Sequence, residues 1–393
     1  MHVMLLCNEM RLGGAERYTI DLANSLIERG VTVTMSYDGP VTHVPGPLPQ
    51  VRRFEPGRSS QRGLGLRRLY VDREVGKRVA RYVRDEKVDV INTVMLDTGI
   101  WAWLAGRLHH VPVFHTPMGV VPTLARLEKA MVSTRSGRGF IRAMRVWFIA
   151  ISRYYGWELV NRTRIPESVI RYANLGTNLR AFQPRPANPE LRAALGLSDG
   201  PVLGIIARLD AVKGHHKLMA AMPAIVRECP NAQWLLVGDG PQRTVLEAQA
   251  ESLGVRDRCI FTGWRTDTSD LMALCDVYVQ TTDGPNLGLS ALQALAQGRA
   301  LAVFAADPLE ERMAADTVVE GVNGHTVPTG HPEQAGQTIG RLLADRERFE
   351  RMGQASRRLA EEQYDWELHT ARVLDIYAER LNGATVKAAS ASS

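Results

Sequence analysis

The sequence predicts an α/β protein made of two Rossmann-like, doubly wound αβα domains facing across a cleft. Three observations carry this expectation. The chain has 393 residues, more than one hydrophobic core usually fills. Short apolar runs alternate with helical periods in both halves, as in strands joined by crossover helices in a parallel sheet. Between the halves, residues 183–200 read QPRPANPELRAALGLSDG, with three prolines in the first seven positions, a composition that suits a linker.

In the first half, residues 2–10 form a short, mostly apolar run and read as a first buried strand. Residues 15–29 place apolar side chains at helical spacing and stop before Gly30, where a left-handed C-terminal cap belongs. Strand patterns follow at 31–37, 88–94, 111–115, 147–151 and 169–173. Residues 38–65, heavy in Pro, Gly and Arg, suit a long surface loop.

After the linker, strands are expected at 202–209, 233–237, 258–262, 277–280 and 301–305. Helices at 217–228, 242–253, 270–275 and 287–297 separate them. From residue 333 the chain is helical and charged, with a break at Tyr364-Asp365-Trp366 and a resumption through 381. The Ala- and Ser-rich end, 383–393, buries little and is expected to be a disordered tail. The expected domains are 1–182 and 183–366.

Composition narrows the function. No apolar run reaches the length of a membrane span, and the N-terminus lacks the basic region of a signal peptide. Cys7, Cys229, Cys259 and Cys275 are scattered, which argues against a disulfide framework or zinc site and for buried thiols in a reducing cytoplasm. The net charge is +6, with arginines concentrated in 52–84 and a second basic stretch in 126–145. Such patches fit a phosphate-bearing or membrane-surface partner, or simply a solvated face. Nucleic acid is not expected, because no nucleic-acid motif accompanies the charge.

Ligands of doubly wound sheets bind beyond the carboxyl ends of the strands, so residues just after strands are the candidates. Gly13 and Gly14 follow the first strand and open a helix, which lets an anion approach the backbone or simply makes a tight structural turn. No GxGxxG with a later ribose-binding acid is present, which counts against an ordinary dinucleotide site. His115 ends a strand, where an exposed imidazole would hydrogen-bond a substrate hydroxyl or move a proton, or would cap the strand.

Arg208 and Lys213 leave the first strand of the second half, five residues apart and followed by Gly214, a spacing at which both can reach one diphosphate, or at which they are simply surface residues of a loop. Gly238 and Gly263 sit in further strand-end turns, where the backbone would read a base or simply turn. Asp283, Asn286, Leu287, Gly288 and Leu289 belong to a turn that feeds a helix carrying Gln293, and that helix has no basic residue. Free amides at its start would supply partial positive charge, while Arg208 and Lys213 supply full charges.

Taken in order, GGAER, FHTP, AISRYYGWELV, NLGTNLRAF, IARLDAVKG, LLVGDGP, FTGW, GLSALQALAQG, VNGHTV and YDWELHTARVLDIYAERL resemble the retaining GT-B glycosyltransferases of the family 4 type. The resemblance implies a nucleotide-sugar donor held mainly by the second domain and an acceptor site on the first. It implies neither metal nor permanent cofactor, and a final helix, 367–382, that crosses back to the first domain. It places Arg208 and Lys213 on the diphosphate, Gly13 and Gly14 over the phosphates, and His115 near the donor sugar.

The family usually has two glutamates in the glycine-containing stretch, and Pro285 and Gln293 stand at those positions. Gln293 retains hydrogen-bonding capacity toward a ribose, Pro285 has no polar side-chain atom, and Asp283 lies two residues upstream. The leading expectation is a sugar transferase using a UDP-sugar in preference to a GDP-sugar, with a glycan, lipid-linked or small-molecule acceptor. The competing one is a non-catalytic sugar-nucleotide-binding subunit that supports a partner transferase.

Overall fold

The computed structural model describes residues 1–9, 14–38, 46–55, 66–94, 99–118, 139, 146–162, 164–282, 288–305 and 316–391. Contacts divide the chain into two units, Met1–Leu175 with Glu367–Ser393, and Gly176–Trp366.

The first unit holds a parallel sheet of β1 (His2–Glu9), β2 (Thr32–Asp38), β3 (Arg52–Phe54), β4 (Val90–Thr93), β5 (Val113–His115), β6 (Val146–Ala150) and β7 (Ile170–Tyr172), in the order β3-β2-β1-β4-β5-β6-β7. Val3 of β1 pairs with Val33 on one side and Val90 on the other. Val3, Met4, Leu5 and Leu6 are fully buried, which is why β1 reads as a continuous apolar run and not an alternating one. The reversal of strand order falls between β1 and β4.

The helix Trp366–Ala391 packs on this sheet. Tyr377 stacks on Phe114 with ring centroids 5.0 Å apart and accepts a hydrogen bond from Asn92 Nδ2 at 2.7 Å. His369 donates from Nδ1 to the Asn174 carbonyl at 2.8 Å, so its Nε2 accepts from the Tyr18 hydroxyl at 3.1 Å. Arg29 pairs with Glu367 at the start of the same helix. These bonds seat the closing helix by specific polar contacts as well as apolar area.

The second unit repeats the plan with β8 (Val202–Ile206), β9 (Gln233–Val237), β10 (Cys259–Gly263), β11 (Val277–Gln280), β12 (Ala300–Ala305) and β13 (Gly324–Pro328), ordered β10-β9-β8-β11-β12-β13 and parallel throughout. Every residue of β8 and β12 is buried. Trp234, Leu236, Met222 and Ile339 are among its core, each worth roughly 1.5–3 kcal/mol of burial. Where the chain enters and leaves this unit, Thr177 N bonds the Tyr364 carbonyl at 2.7 Å and Trp366 N bonds the Thr177 carbonyl at 3.0 Å.

Several expectations need correction. The expected loop at 38–65 contains β3, a three-residue edge strand whose two arginines hide any alternation. The later part of the arginine-rich stretch lies in the helix Leu66–Asp85. Within the proline-rich segment, Asn188 caps the short helix Pro189–Ala194 by accepting from the amides of Glu190 and Leu191, so Pro189 starts a helix here instead of interrupting one. The final helix is Trp366–Ala391. The four cysteines are all buried, and none is in a disulfide. Among the described residues no helix is long and apolar enough to cross a membrane.

Candidate functional site

In the second unit the strand order reverses between β8 and β11, and ligands of such sheets bind in the crevice beyond the carboxyl ends at that reversal. β8 runs through Arg208 into a single 3₁₀ turn, Ala211–Lys213, then Gly214 at φ 67° and the helix His215–Glu228. Thr281, just past β11, donates its hydroxyl to the Lys213 carbonyl at 2.6 Å. A Cβ on Gly214 would stand 2.1 Å from the Thr281 carbonyl oxygen. The two crevice loops therefore touch backbone to backbone, and only glycine permits it.

The loops after β9 and β10 join the same belt. Gly238 N bonds the Gly263 carbonyl at 3.0 Å, and a Cβ on Gly238 would lie 2.0 Å from the Ala207 carbonyl oxygen. Arg208, Lys213, Gly238 and Gly263 are thus held on one edge by strand ends that press against each other. Gly288 adjoins this edge at the start of the helix Leu289–Ala296, where no side chain caps the amides. Gln293 lies one turn into that helix, half-buried.

The electrostatics favour an anion. Arg208 is exposed and forms an ion pair with Asp210 at 2.7 Å. Lys213 is partly buried, and its ammonium is pushed below the ordinary lysine range, first by burial and then by the Arg208 charge, with Asp210 opposing. Two cations share one carboxylate, so a bound oxyanion would offset the repulsion and desolvation that Lys213 carries. Sequence reasoning missed Thr281 and Asp210; a hydroxyl and an acid directly following strands were the available signals. It also passed over His215, which is buried with neither ring nitrogen hydrogen-bonded. Burial, followed by the charge on Lys213, pushes it down to about 4.

The first unit carries His115 at the end of β5. The expected exposed imidazole is instead 2% exposed. Its Nδ1 lies 2.9 Å from Thr93 Oγ1, and the edges of Trp103 and Phe148 meet it with centroids 6.3 and 5.7 Å away. Burial pushes its pKa down to about 4 despite a hydrogen bond to the Thr93 backbone, so the ring is neutral near pH 7. The strand end turns inward because β5 is flanked by β4 and β6, a placement that one short strand pattern does not reveal.

Gly14 is exposed at the start of the helix Gly14–Glu28. Gly13, Asp283, Pro285, Asn286 and Leu287 lie outside the described residues, as does most of the basic stretch at 126–145. Of the other basic stretch, Arg78, Arg81 and Arg84 are exposed on the helix Leu66–Asp85. Among the described residues no group of three or more His, Cys, Asp or Glu side chains gathers as a metal site.

Comparison with known proteins adds the following. The model of glycosyl transferases group 1 matches residues 187–359, and that of glycosyltransferase family 4 matches residues 12–180. The chain is 29% identical to the GDP-mannose-dependent α-(1-6)-phosphatidylinositol monomannoside mannosyltransferase of Mycolicibacterium smegmatis, over 55% of this chain and 58% of that one. It is 27% identical to the D-inositol 3-phosphate glycosyltransferase of Xylanimonas cellulosilytica, over 93% of this chain and 92% of that one. The Anabaena protein Alr3699/HepE, solved in complex with UDP and glucose, superposes with a TM-score of 0.75 at 20% identity, over 96% of this chain and 99% of that one; at that identity the match speaks for the fold.

Proposed function

Because this chain belongs to the GT-B glycosyltransferases of the family 4 type, we propose that it moves a hexose with retention of configuration from a UDP-sugar to a phosphate-bearing acceptor. The observation that carries the proposal is the placement of Arg208 and Lys213 at the reversal of the second sheet, beside uncapped helix amides. Arg208 and Lys213 stabilise negative charge on the departing diphosphate. The amides of Gly288 and Leu289 orient the donor, the turns at Gly238 and Gly263 face the base, and Gln293 hydrogen-bonds the ribose. Gly13, Gly14, Asp283, Asn286 and Leu287 complete the donor contacts in this reading, and His115 bonds a sugar hydroxyl.

UDP is favoured by the complex of the structural relative, and a phosphate-bearing acceptor by the names of two sequence relatives, whose acceptors are a phosphatidylinositol monomannoside and an inositol phosphate. The basic side chains Arg78, Arg81 and Arg84 of the first unit agree with an anionic acceptor, including one at a membrane surface. The M. smegmatis relative uses GDP-mannose by name, so the test includes both bases. Calorimetric titration with UDP, GDP, UDP-glucose, UDP-N-acetylglucosamine and GDP-mannose should show selective binding of uridine ligands, tighter with the sugar attached. Preference for GDP-mannose would overturn the base, and binding of none would overturn the donor site.

A second reading has its own observation. The helix Leu289–Ala296 carries no acidic residue, so a sugar-nucleotide-binding subunit supporting a partner transferase remains in view. Slow release of UDP from a donor by the purified protein alone, without acceptor, would eliminate it.

A further inference from the structure

We propose that Thr93 is a positioning residue that fixes the tautomer of His115, making His115 a hydrogen-bond acceptor through Nε2. The two residues lie opposite each other in the register of β4 and β5. Thr93 Oγ1 donates to the Phe114 carbonyl at 3.3 Å and lies 2.9 Å from His115 Nδ1. In this assignment the single hydroxyl proton of Thr93 goes to the Phe114 carbonyl, which can only accept; donated instead to Nδ1, it would put the ring proton on Nε2. What Thr93 then presents to the ring is a lone pair, and Nδ1 carries the proton.

The rest follows from proton counting. The ring is neutral near pH 7, as its burial requires, and a neutral imidazole has one N–H. With that proton on Nδ1, Nε2 is bare. Trp103 and Phe148 hold the ring plane at its edges. Nε2 of such a ring accepts a hydrogen bond and donates none, so it neither donates to a phosphate oxygen nor protonates a leaving group.

The last step, that the hydroxyl belongs to a sugar, rests on the proposed function; the tautomer does not. A site built this way selects a sugar bearing a free hydroxyl and rejects one with a methoxy group or fluorine at the same position, because neither offers a proton.

The test is two-bond ¹H–¹⁵N correlation spectroscopy on protein labelled at its ten histidines, between pH 6 and 8, with His115 assigned by its loss in His115→Gln. The expected result is a protonated Nδ1 and a bare Nε2 in the wild type and in Thr93→Ser, with proton population moving to Nε2 in Thr93→Val. A wild-type ring protonated on Nε2 would overturn the assignment. An unchanged pattern in Thr93→Val, with the wild type as expected, would remove Thr93 from the role.

Titration with UDP and UDP-glucose separates the functional step. Thr93→Val and His115→Gln should each weaken UDP-glucose about fivefold and leave UDP unchanged. Binding of both ligands with no such loss would overturn the sugar contact. A wild type that binds neither would overturn the donor reading while the spectra still decide the tautomer.

Discussion

The two parallel sheets share one strand order, to which the first adds a seventh strand, yet their carboxyl ends solve different problems. The edge of the second unit is charged, with an exposed Arg208, a partly buried Lys213 and glycines that let neighbouring loops touch. The corresponding edge of the first unit places a neutral, buried His115 in a hydrogen-bonded frame. In the function proposed above, one edge holds an anion by charge and the other a hydroxyl by geometry. The same topology is therefore a scaffold for either chemistry, and the side chains beyond the strands decide which.

The contrast can be broken most severely at Gly238. Gly238→Ala brings a Cβ within 2.0 Å of the Ala207 carbonyl oxygen at a φ of 140°. It should destabilise the second unit by about 3 kcal/mol or more, seen as an early transition in urea that spares the first unit. Loss of charge comes next. Arg208→Ala and Lys213→Ala should each weaken UDP binding about 10- to 100-fold by calorimetry, with unfolding midpoints unchanged. Retained affinity in both would end the description of this edge as an anion site.

Acid should separate the units by similar energies. His115 and His369 in the first unit and His215 in the second are all pushed down to about 4 by burial. The unfolded chain therefore takes up protons first. Their contribution to stability is full above about pH 6.5 and is lost as pH falls toward 4, on the order of 3 kcal/mol for each ring. Urea denaturation at pH 7 and pH 5 should show the larger loss in the first unit, and His369→Gln should flatten it.

Smaller effects sharpen the comparison. Tyr377→Phe leaves the Asn92 amide without its 2.7 Å partner and should cost about 1–2 kcal/mol, read from the denaturation of the first unit. Gln293→Glu should tighten UDP binding a few-fold if a ribose lies against that turn of helix; weaker binding would mean another pose.

Much of this was legible in the sequence where signals were local. Alternating apolar runs located β1, β2, β8, β9, β11 and β12, and the residues following β8 pointed to Arg208 and Lys213. β3 escaped because two of its three residues are arginines, and β13 because Gly324-His325-Thr326 breaks up the apolar pattern. The frame around His115 was beyond reach for a different reason. Asn92 and Tyr377 lie 285 positions apart, and Thr93 shows its role only once β4 and β5 are in register. Spacing along a chain carries no trace of such pairings.

The closing helix of the first unit has one more consequence, for the order in which the protein is made. The second unit is one uninterrupted stretch, Gly176–Trp366, whereas the first needs Glu367 onward to supply His369 and Tyr377. On the ribosome the unit translated first is therefore finished last. Its sheet emerges with Asn92 and Phe114 uncovered and waits through the synthesis of the entire second unit. The usual rule that N-terminal domains fold first is inverted here, and the interval of exposure is set by the length of the intervening unit.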